Sequence, residues 1–198
     1  MENKDKKMAN LATAHNNLGL AYFDNEEYDK AIASYNEAIK LNPNHAATYN
    51  NLGNAYNEKG EYDKAIAPLK KAIELDPNHP YAHYNLGNSY NDKEDYDKAI
   101  ASYNEAIKLN PNYAYVHGNL GNAYYHKGEY DKAVELYKRA IELDPNNANA
   151  HNNLGAAYED KGEYDIAIVL YKKAIKLDPK LTKAQENLNL LIKKTTNK

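Results

Sequence analysis

Histidine has the widest chemical repertoire among the residues of this sequence, and four of its histidines recur at related positions. They are separated by 34 or 68 residues and comprise His15, His83, His117 and His151. Equivalent residues on neighbouring packed helices lie about 10 Å apart, whereas zinc ligands converge to about 2.1 Å from the ion. These side chains therefore cannot share one metal. His79 and His83 have the i, i+4 spacing of a ligand pair, but Pro80 lies between them and no third ligand is evident. We expect packing roles, with no metal and no cofactor.

The residues that could carry out catalysis follow the same period and do not form one distinct centre. Ser34, Ser89 and Ser102 each fall within a predicted helix, and the abundant acidic residues recur along the chain. There is no glycine-rich phosphate-binding loop. The absence of cysteine excludes thiol chemistry and disulfides. Because catalytic centres usually interrupt a regular pattern, the sequence predicts a protein that is not an enzyme.

Asparagine forms the most regular chemical feature of the chain. One asparagine directly precedes each Leu of a recurring Leu-Gly pair, and in three cases another follows that Leu after two residues. The first series is Asn17, Asn51, Asn85, Asn119 and Asn153, continued by Asn187, and the second is Asn54, Asn88 and Asn122. An amide offers both a donor and an acceptor and can pair with a peptide bond. Two interpretations remain open: a ladder that contacts a ligand, or a solvated helix face.

A period of 34 residues organises the whole chain. The Leu-Gly pairs begin at Leu18, Leu52, Leu86, Leu120 and Leu154, and Pro43, Pro77, Pro111, Pro145 and Pro179 keep the same spacing. Within each period, apolar residues at helical spacing predict two helices, and the proline ends the second. Small residues let the two helix backbones approach closely. Since one helical hairpin cannot bury its apolar faces alone, the repeats must stack on one another.

The pattern Leu-Gly-x-x-Tyr, followed by Ala, Tyr, Ala and Pro at this period, resembles the tetratricopeptide repeat (TPR) family. The resemblance covers about residues 12–181. It implies an all-α fold, a right-handed superhelical solenoid of antiparallel helix pairs, and a scaffold that binds proteins or peptides. The expected organisation is a short charged segment, five repeats, a capping helix and a tail. The boundaries are 1–11 for the segment, 12–45, 46–79, 80–113, 114–147 and 148–181 for the repeats, 182–194 for the cap and 195–198 for the tail.

In that family's architecture, the face of each first helix opposite the apolar side lines a concave groove. The resemblance therefore places a peptide-binding groove along the asparagine series, with four tyrosines as stacking anchors: Tyr81, Tyr84, Tyr115 and Tyr125. The far end of this face carries Asp24, Glu58, Asp92 and Asp160, which favours neutral or basic ligands. The basic residues that grip acidic C-termini of heat-shock chaperones are missing from the groove positions, apart from Lys183 on the cap. We do not expect that ligand class.

Composition narrows the partners further. The formal net charge of −3 provides no basic footprint for nucleic acid. There is no run of 18 apolar residues that could span a membrane, and no apolar stretch follows the charged N-terminus as it would in a signal peptide. We expect a cytoplasmic protein that does not insert into membranes.

Two further features keep other functions open. The N-terminal side of the array lacks an obvious cap, so the segment from Ala12 to Tyr22 could mediate weak self-association, and a self-assembling structural module is an alternative to a monomer. In addition, residues 28–44 and 96–112 are identical. A two-repeat unit was therefore duplicated, by evolution or by an engineer, and an engineered repeat without a natural ligand is the third possibility.

Pro68 is the one sharp departure from the repeat pattern. It falls inside a predicted second helix, where the other repeats have Ser or Leu. Proline lacks the backbone N–H, so the carbonyl of Lys64 loses its usual partner. The sequence predicts a local distortion of the helix at this point.

Overall fold

Eleven helices and no strand make up the part of the chain that the computed structural model describes, Glu2–Thr196. Their bounds are α1 Glu2–Asp24, α2 Tyr28–Leu41, α3 Ala46–Glu58, α4 Tyr62–Leu75, α5 Pro80–Asp92, α6 Tyr96–Leu109, α7 Ala114–His126, α8 Tyr130–Leu143, α9 Ala148–Asp160, α10 Tyr164–Leu177 and α11 Thr182–Thr196. The predicted all-α fold is confirmed. From Glu2 onward, the charged N-terminal residues extend α1. The last two residues of the sequence, which belong to the predicted tail, lie outside the described range.

The helices belong to two compact units, α1–α6 and α7–α11. In the first unit each helix packs against the next along the chain, and α3 also contacts the first helices on either side of it, α1 and α5. In the second unit α7 to α11 follow the same rule, with α9 contacting both α7 and α11. Each unit is therefore a stack of antiparallel helical hairpins, as the repeat predicts.

Glycine allows the two helices of each repeat to pack closely. A Cβ atom built on Gly87 would lie 2.5 Å from the ring of Tyr103, and one on Gly53 would lie 2.4 Å from Cγ of Leu69. Both distances are far below a normal van der Waals contact, so no larger residue fits without rearrangement. The predicted role of these small residues in close approach is therefore correct. Asn189 takes the corresponding position on α11, where it is exposed.

Pro68 does not interrupt its helix. α4 is helical from Tyr62 to Leu75 and has 14 residues, the same length as α2. The neighbouring Leu69 is completely buried and packs over Gly53, which holds this part of α4 against α3. The missing N–H of Pro68 removes the usual donor to the carbonyl of Lys64 but does not end or shorten the helix.

Candidate functional site

Three of the four recurring histidines hydrogen-bond to the loops between repeats. The Nε2 atoms of His83, His117 and His151 lie 2.9–3.1 Å from the carbonyl oxygens of Pro77, Pro111 and Pro145. On α11 the Nε2 of Gln185 donates to the Pro179 carbonyl at 2.8 Å. In each case the side chain reaches back six residues and satisfies a carbonyl just before the helix begins. This bond explains the regular spacing without a metal.

We expect His151→Leu to lower the free energy of unfolding by about 1 kcal/mol, because the Pro145 carbonyl loses its donor. His151→Gln should retain most of the stability, since Gln185 makes the same bond at the equivalent position. Urea unfolding of the two variants beside the wild type tests this. Equal losses for Leu and Gln would show that ring packing, and not the hydrogen bond, fixes histidine here.

The asparagine series connects successive first helices. The Nδ2 of Asn51 donates to Oδ1 of Asn16 at 3.2 Å, and that of Asn85 donates to Oδ1 of Asn50 at 3.0 Å. Asn187 donates to Asn152 at 3.0 Å with the same separation of 35 residues. We call these the asparagine pairs. They show that part of the amide capacity predicted for a ligand is used between repeats.

The burial of the asparagine series differs from both interpretations of the sequence, which place these side chains on an accessible helix face. Asn17 is exposed, Asn51, Asn119 and Asn153 are partly buried, and Asn85 is only 7% exposed. For Asn85 the expectation of a solvent-facing side chain is wrong. The reason is that Asn85 is hydrogen-bonded to Asn50, which is also buried, where α3 contacts α5. Asn54 is partly buried, and Asn88 accepts a 2.9 Å hydrogen bond from the Tyr103 hydroxyl.

The remaining candidates of the first unit all lie on α5 and differ in exposure. Tyr81 is half exposed on α5, while Tyr84 is partly buried with its ring centroid 6.1 Å from that of Tyr103. Asp92 is exposed at the end of α5, where it accepts a hydrogen bond from Asn91.

The second unit holds a concave cavity of about 340 Å³, here called the acidic cavity. It lies between α7 and α9, with contributions from α8, α10 and α11. Its lining residues are Asn122, Tyr125, His126, Tyr137, Asn152, Asn153, Ala156, Glu159, Asp160, Tyr171, Lys183 and Asn187. The sequence identified Tyr125, Asn122 and Asn153 as candidates. Tyr137 and Tyr171 were missed, because they belong to a second-helix position that the repeat pattern assigns to packing. Glu159 was missed although it occupies the same repeat position as Tyr125.

Tyrosine hydroxyls hold both carboxylates of the acidic cavity. The hydroxyl of Tyr125 donates to Asp160 at 2.5 Å, and that of Tyr171 donates to Glu159 at 2.9 Å. Burial, followed by the hydrogen bond to the adjacent carboxylate and its charge, raises the pKa of both tyrosines. The phenols therefore remain protonated donors at neutral pH, and the carboxylates are held in place beside aromatic rings.

A second cavity of about 330 Å³, here called the amide cavity, adjoins the first and shares Asn122, Asn153 and Lys183 with it. Its other lining residues are Ala114, Tyr115, Gly118, Asn119, Ala140, Asn147, Asn149 and Ala150. The structure thus brings four of the sequence candidates together at one cavity: Tyr115, Asn119, Asn122 and Asn153. Gly118 also lines this cavity and is not among the sequence candidates. Its missing side chain is the signal that could have identified it.

Family models and solved structures that resemble this chain show which family it belongs to. Models described as "Tetratricopeptide repeat" match residues 10–78, 69–101 and 148–181, and one described as "TPR repeat" matches 87–128 and 121–162. A crystal structure of MamA protein is 34% identical and has a TM-score of 0.74, covering 87% of this chain and 94% of that one. The chain belongs to the tetratricopeptide repeat family.

Two further TPR structures are similar to this chain. YrrB, whose structure is described as "a TPR protein with an unusual peptide-binding site", is 26% identical with a TM-score of 0.70. The match covers 87% of this chain and 89% of YrrB. TTC0263 from Thermus thermophilus is 22% identical with a TM-score of 0.74, covers 91% of this chain and 98% of its own, and shares the fold. A comparison with curated proteins gives no match.

As a member of the TPR family, the chain is a non-catalytic scaffold for protein interactions. Between Glu2 and Thr196, no helix of this TPR array combines the length and apolar character needed to cross a bilayer.

Proposed function

We propose that this TPR protein binds an extended segment of another protein along the asparagine-lined face of its second unit, and that the segment carries a lysine or arginine. The observation that supports this most directly is the pair of carboxylates, Glu159 and Asp160, in a concave cavity walled by Tyr125, Tyr137 and Tyr171. A guanidinium group pairs with carboxylates through short charge-assisted bonds, and its planar face stacks on aromatic rings. The acidic cavity offers carboxylates for the first interaction and the partly buried ring of Tyr125 for the second. The rings of Tyr137 and Tyr171 are only 1% exposed and form the floor beneath it.

The positive charge of Lys183 influences which way round the segment binds in the groove. Lys183 lines both cavities and therefore places a positive charge near their boundary. A like charge opposite a basic side chain is unfavourable. The lysine or arginine of the bound segment is accordingly confined to the end of the groove that holds Glu159 and Asp160.

The asparagines supply contacts for the main chain of the segment. The Oδ1 of Asn122 accepts hydrogen bonds from Asn153 at 3.0 Å and from the Tyr137 hydroxyl at 2.8 Å. Because its oxygen is engaged in this way, the group that Asn122 can offer a ligand is its NH₂ donor, which suits a peptide carbonyl. The description of YrrB as a protein with a peptide-binding site is consistent with this use of the fold.

We expect the double variant Glu159→Gln, Asp160→Asn to lose the preference for a basic residue. The probe is a fluorescein-labelled peptide of alanine and serine with one central arginine, compared by anisotropy with the same peptide carrying glutamine. The wild type should bind the arginine peptide about tenfold or more tightly, which corresponds to about 1.4 kcal/mol, and the double variant should bind both alike. The amides keep acceptor oxygens for Tyr125 and Tyr171.

A matched control removes the same two charges from the first unit. The control is Glu58→Gln, Asp92→Asn. Both residues stand at the repeat position of Asp160 but belong to the first unit. This control should retain the arginine preference. If both double variants weaken arginine binding equally, net charge is responsible and the cavity is not the site. If neither has an effect, the proposed site is wrong.

Self-association is the second candidate function, and the exposure of one leucine favours it. Leu18 is 44% exposed, whereas the residue at the same repeat position is at most 7% exposed in the next four repeats. Leu11, about two helical turns earlier on α1, is also 44% exposed. Light scattering over a range of concentrations tests this. A mass that rises with concentration and returns to the monomer in Leu11→Glu, Leu18→Glu supports assembly, and a constant monomeric mass excludes it.

A further inference from the structure

Gly118 is a glycine that packing does not require. A Cβ atom built on it would meet no atom within 4 Å. By contrast, a Cβ on Gly121, in the same helix, would collide with Tyr137. The other repeats carry Asn16, Asn50, Tyr84 and Asn152 at the position of Gly118. Glycine in a helix interior is destabilising relative to alanine, so the reason for it lies in the space it leaves.

That space is part of the amide cavity and has a distinct chemical character. One turn before Gly118, Tyr115 is 60% exposed. Tyr115, Gly118, Ala114 and Ala150 line the cavity together. Asparagines line much of the rest of it. The Tyr115 ring makes an edge contact with Tyr113, with centroids 6.2 Å apart, and is otherwise largely exposed. An exposed ring beside a missing side chain suits a second flat ring, because aromatic pairs gain energy beyond their buried area.

We infer that Gly118 determines specificity: the gap it leaves receives one aromatic side chain of the bound segment, stacked on Tyr115. This inference rests on the proposed function, since it assumes that a basic residue of the same segment occupies the acidic cavity. The two cavities share Asn122, Asn153 and Lys183, so the aromatic and the basic residue lie close together in the segment. The recognised motif is therefore a basic residue with an aromatic neighbour a few positions away.

A peptide panel tests this. Each labelled peptide has one fixed arginine in an alanine-serine background and one variable residue, Ala, Leu, Phe, Trp or Glu, scanned from four positions before the arginine to four after it. The proteins are the wild type, Gly118→Asn and Gly118→Ala. Gly118→Asn restores the side chain found in three other repeats, and Gly118→Ala fills little of the gap. Circular dichroism and urea unfolding establish that all three are folded.

The wild type should prefer Phe or Trp over Ala at one position by about tenfold. Gly118→Asn should reduce that preference to less than about threefold while keeping the preference for arginine over glutamine. Gly118→Ala should retain most of the aromatic preference. These three results together support the inference.

Other outcomes overturn it. If arginine matters but the variable residue does not, the proposed function stands and the role of Gly118 is wrong. A preference for Glu assigns the gap to a carboxylate held by Lys183. An aromatic preference that survives in Gly118→Asn places the aromatic residue elsewhere. If no peptide binds in an arginine-dependent way, both the proposed function and this inference fail.

Discussion

Gly121→Ala is expected to lower the free energy of unfolding by up to about 2 kcal/mol, because one added methyl group overpacks a filled contact at a cost of about 1–3 kcal/mol. A Cβ on Gly121 would lie 2.7 Å from Cε1 of Tyr137. The Tyr137 ring is 1% exposed and packs within the core cluster of the second unit, so it has little room to move. The gain in helix propensity from glycine to alanine, about 1 kcal/mol, offsets only part of this cost.

Gly118→Ala is the matched control, since it is the same substitution in the same helix, three residues earlier. Its Cβ meets nothing within 4 Å, so we expect a gain in stability of about 0.5–1 kcal/mol from helix propensity alone. Chemical denaturation of the two variants measures the difference between close contact and open space. Equal effects of the two substitutions would contradict the close packing of α7 on α8.

The fold was predictable from the sequence because the same pattern of apolar residues, small residues and proline recurs in every 34-residue repeat. Leu52, Leu86, Leu120 and Leu154 are all buried, as their common position between stacked hairpins requires. The conformation at Pro68 was not predictable from its helix alone. Intrinsic propensity predicts a disturbed helix there, but the complete burial of Leu69 beside it keeps α4 in place. Tertiary packing, which a single helix sequence does not express, outweighs the local preference.

The candidate site was predictable only in part. Tyr115, Asn119, Asn122, Tyr125 and Asn153 are brought to two adjoining cavities, because their helix face follows from the period. Tyr137 and Tyr171 were missed, since the hydroxyl at the far end of a buried ring can reach a cavity that the position of its Cα does not suggest. The partner of Asn85 was missed as well. Pairing with Asn50 depends on the offset between neighbouring helices, which the period of one helix does not reveal.

Asn85→Ala is expected to lower the free energy of unfolding by about 1–3 kcal/mol, because it leaves a buried acceptor without its donor. The Nδ2 of Asn85 donates to Oδ1 of Asn50 at 3.0 Å, and the two residues are 7% and 8% exposed. Water therefore has little access to replace the lost bond. Asn17→Ala removes the same side chain at the same repeat position where it is exposed, and should change stability by no more than about 0.5 kcal/mol.

A double-mutant cycle with Asn50→Ala isolates the pair itself. If the hydrogen bond is responsible, the double variant should lose less stability than the two single variants added together, by about 0.5 kcal/mol or more. Strict additivity, or equal losses for Asn85→Ala and Asn17→Ala, would contradict the pairing. The result also determines how the groove can be studied. If Asn85 holds α3 and α5 together, a loss of binding in Asn85→Ala could reflect instability of the fold. Substitutions that leave the packing intact, such as Gly118→Asn and Asp160→Asn, are then the ones that report on the groove.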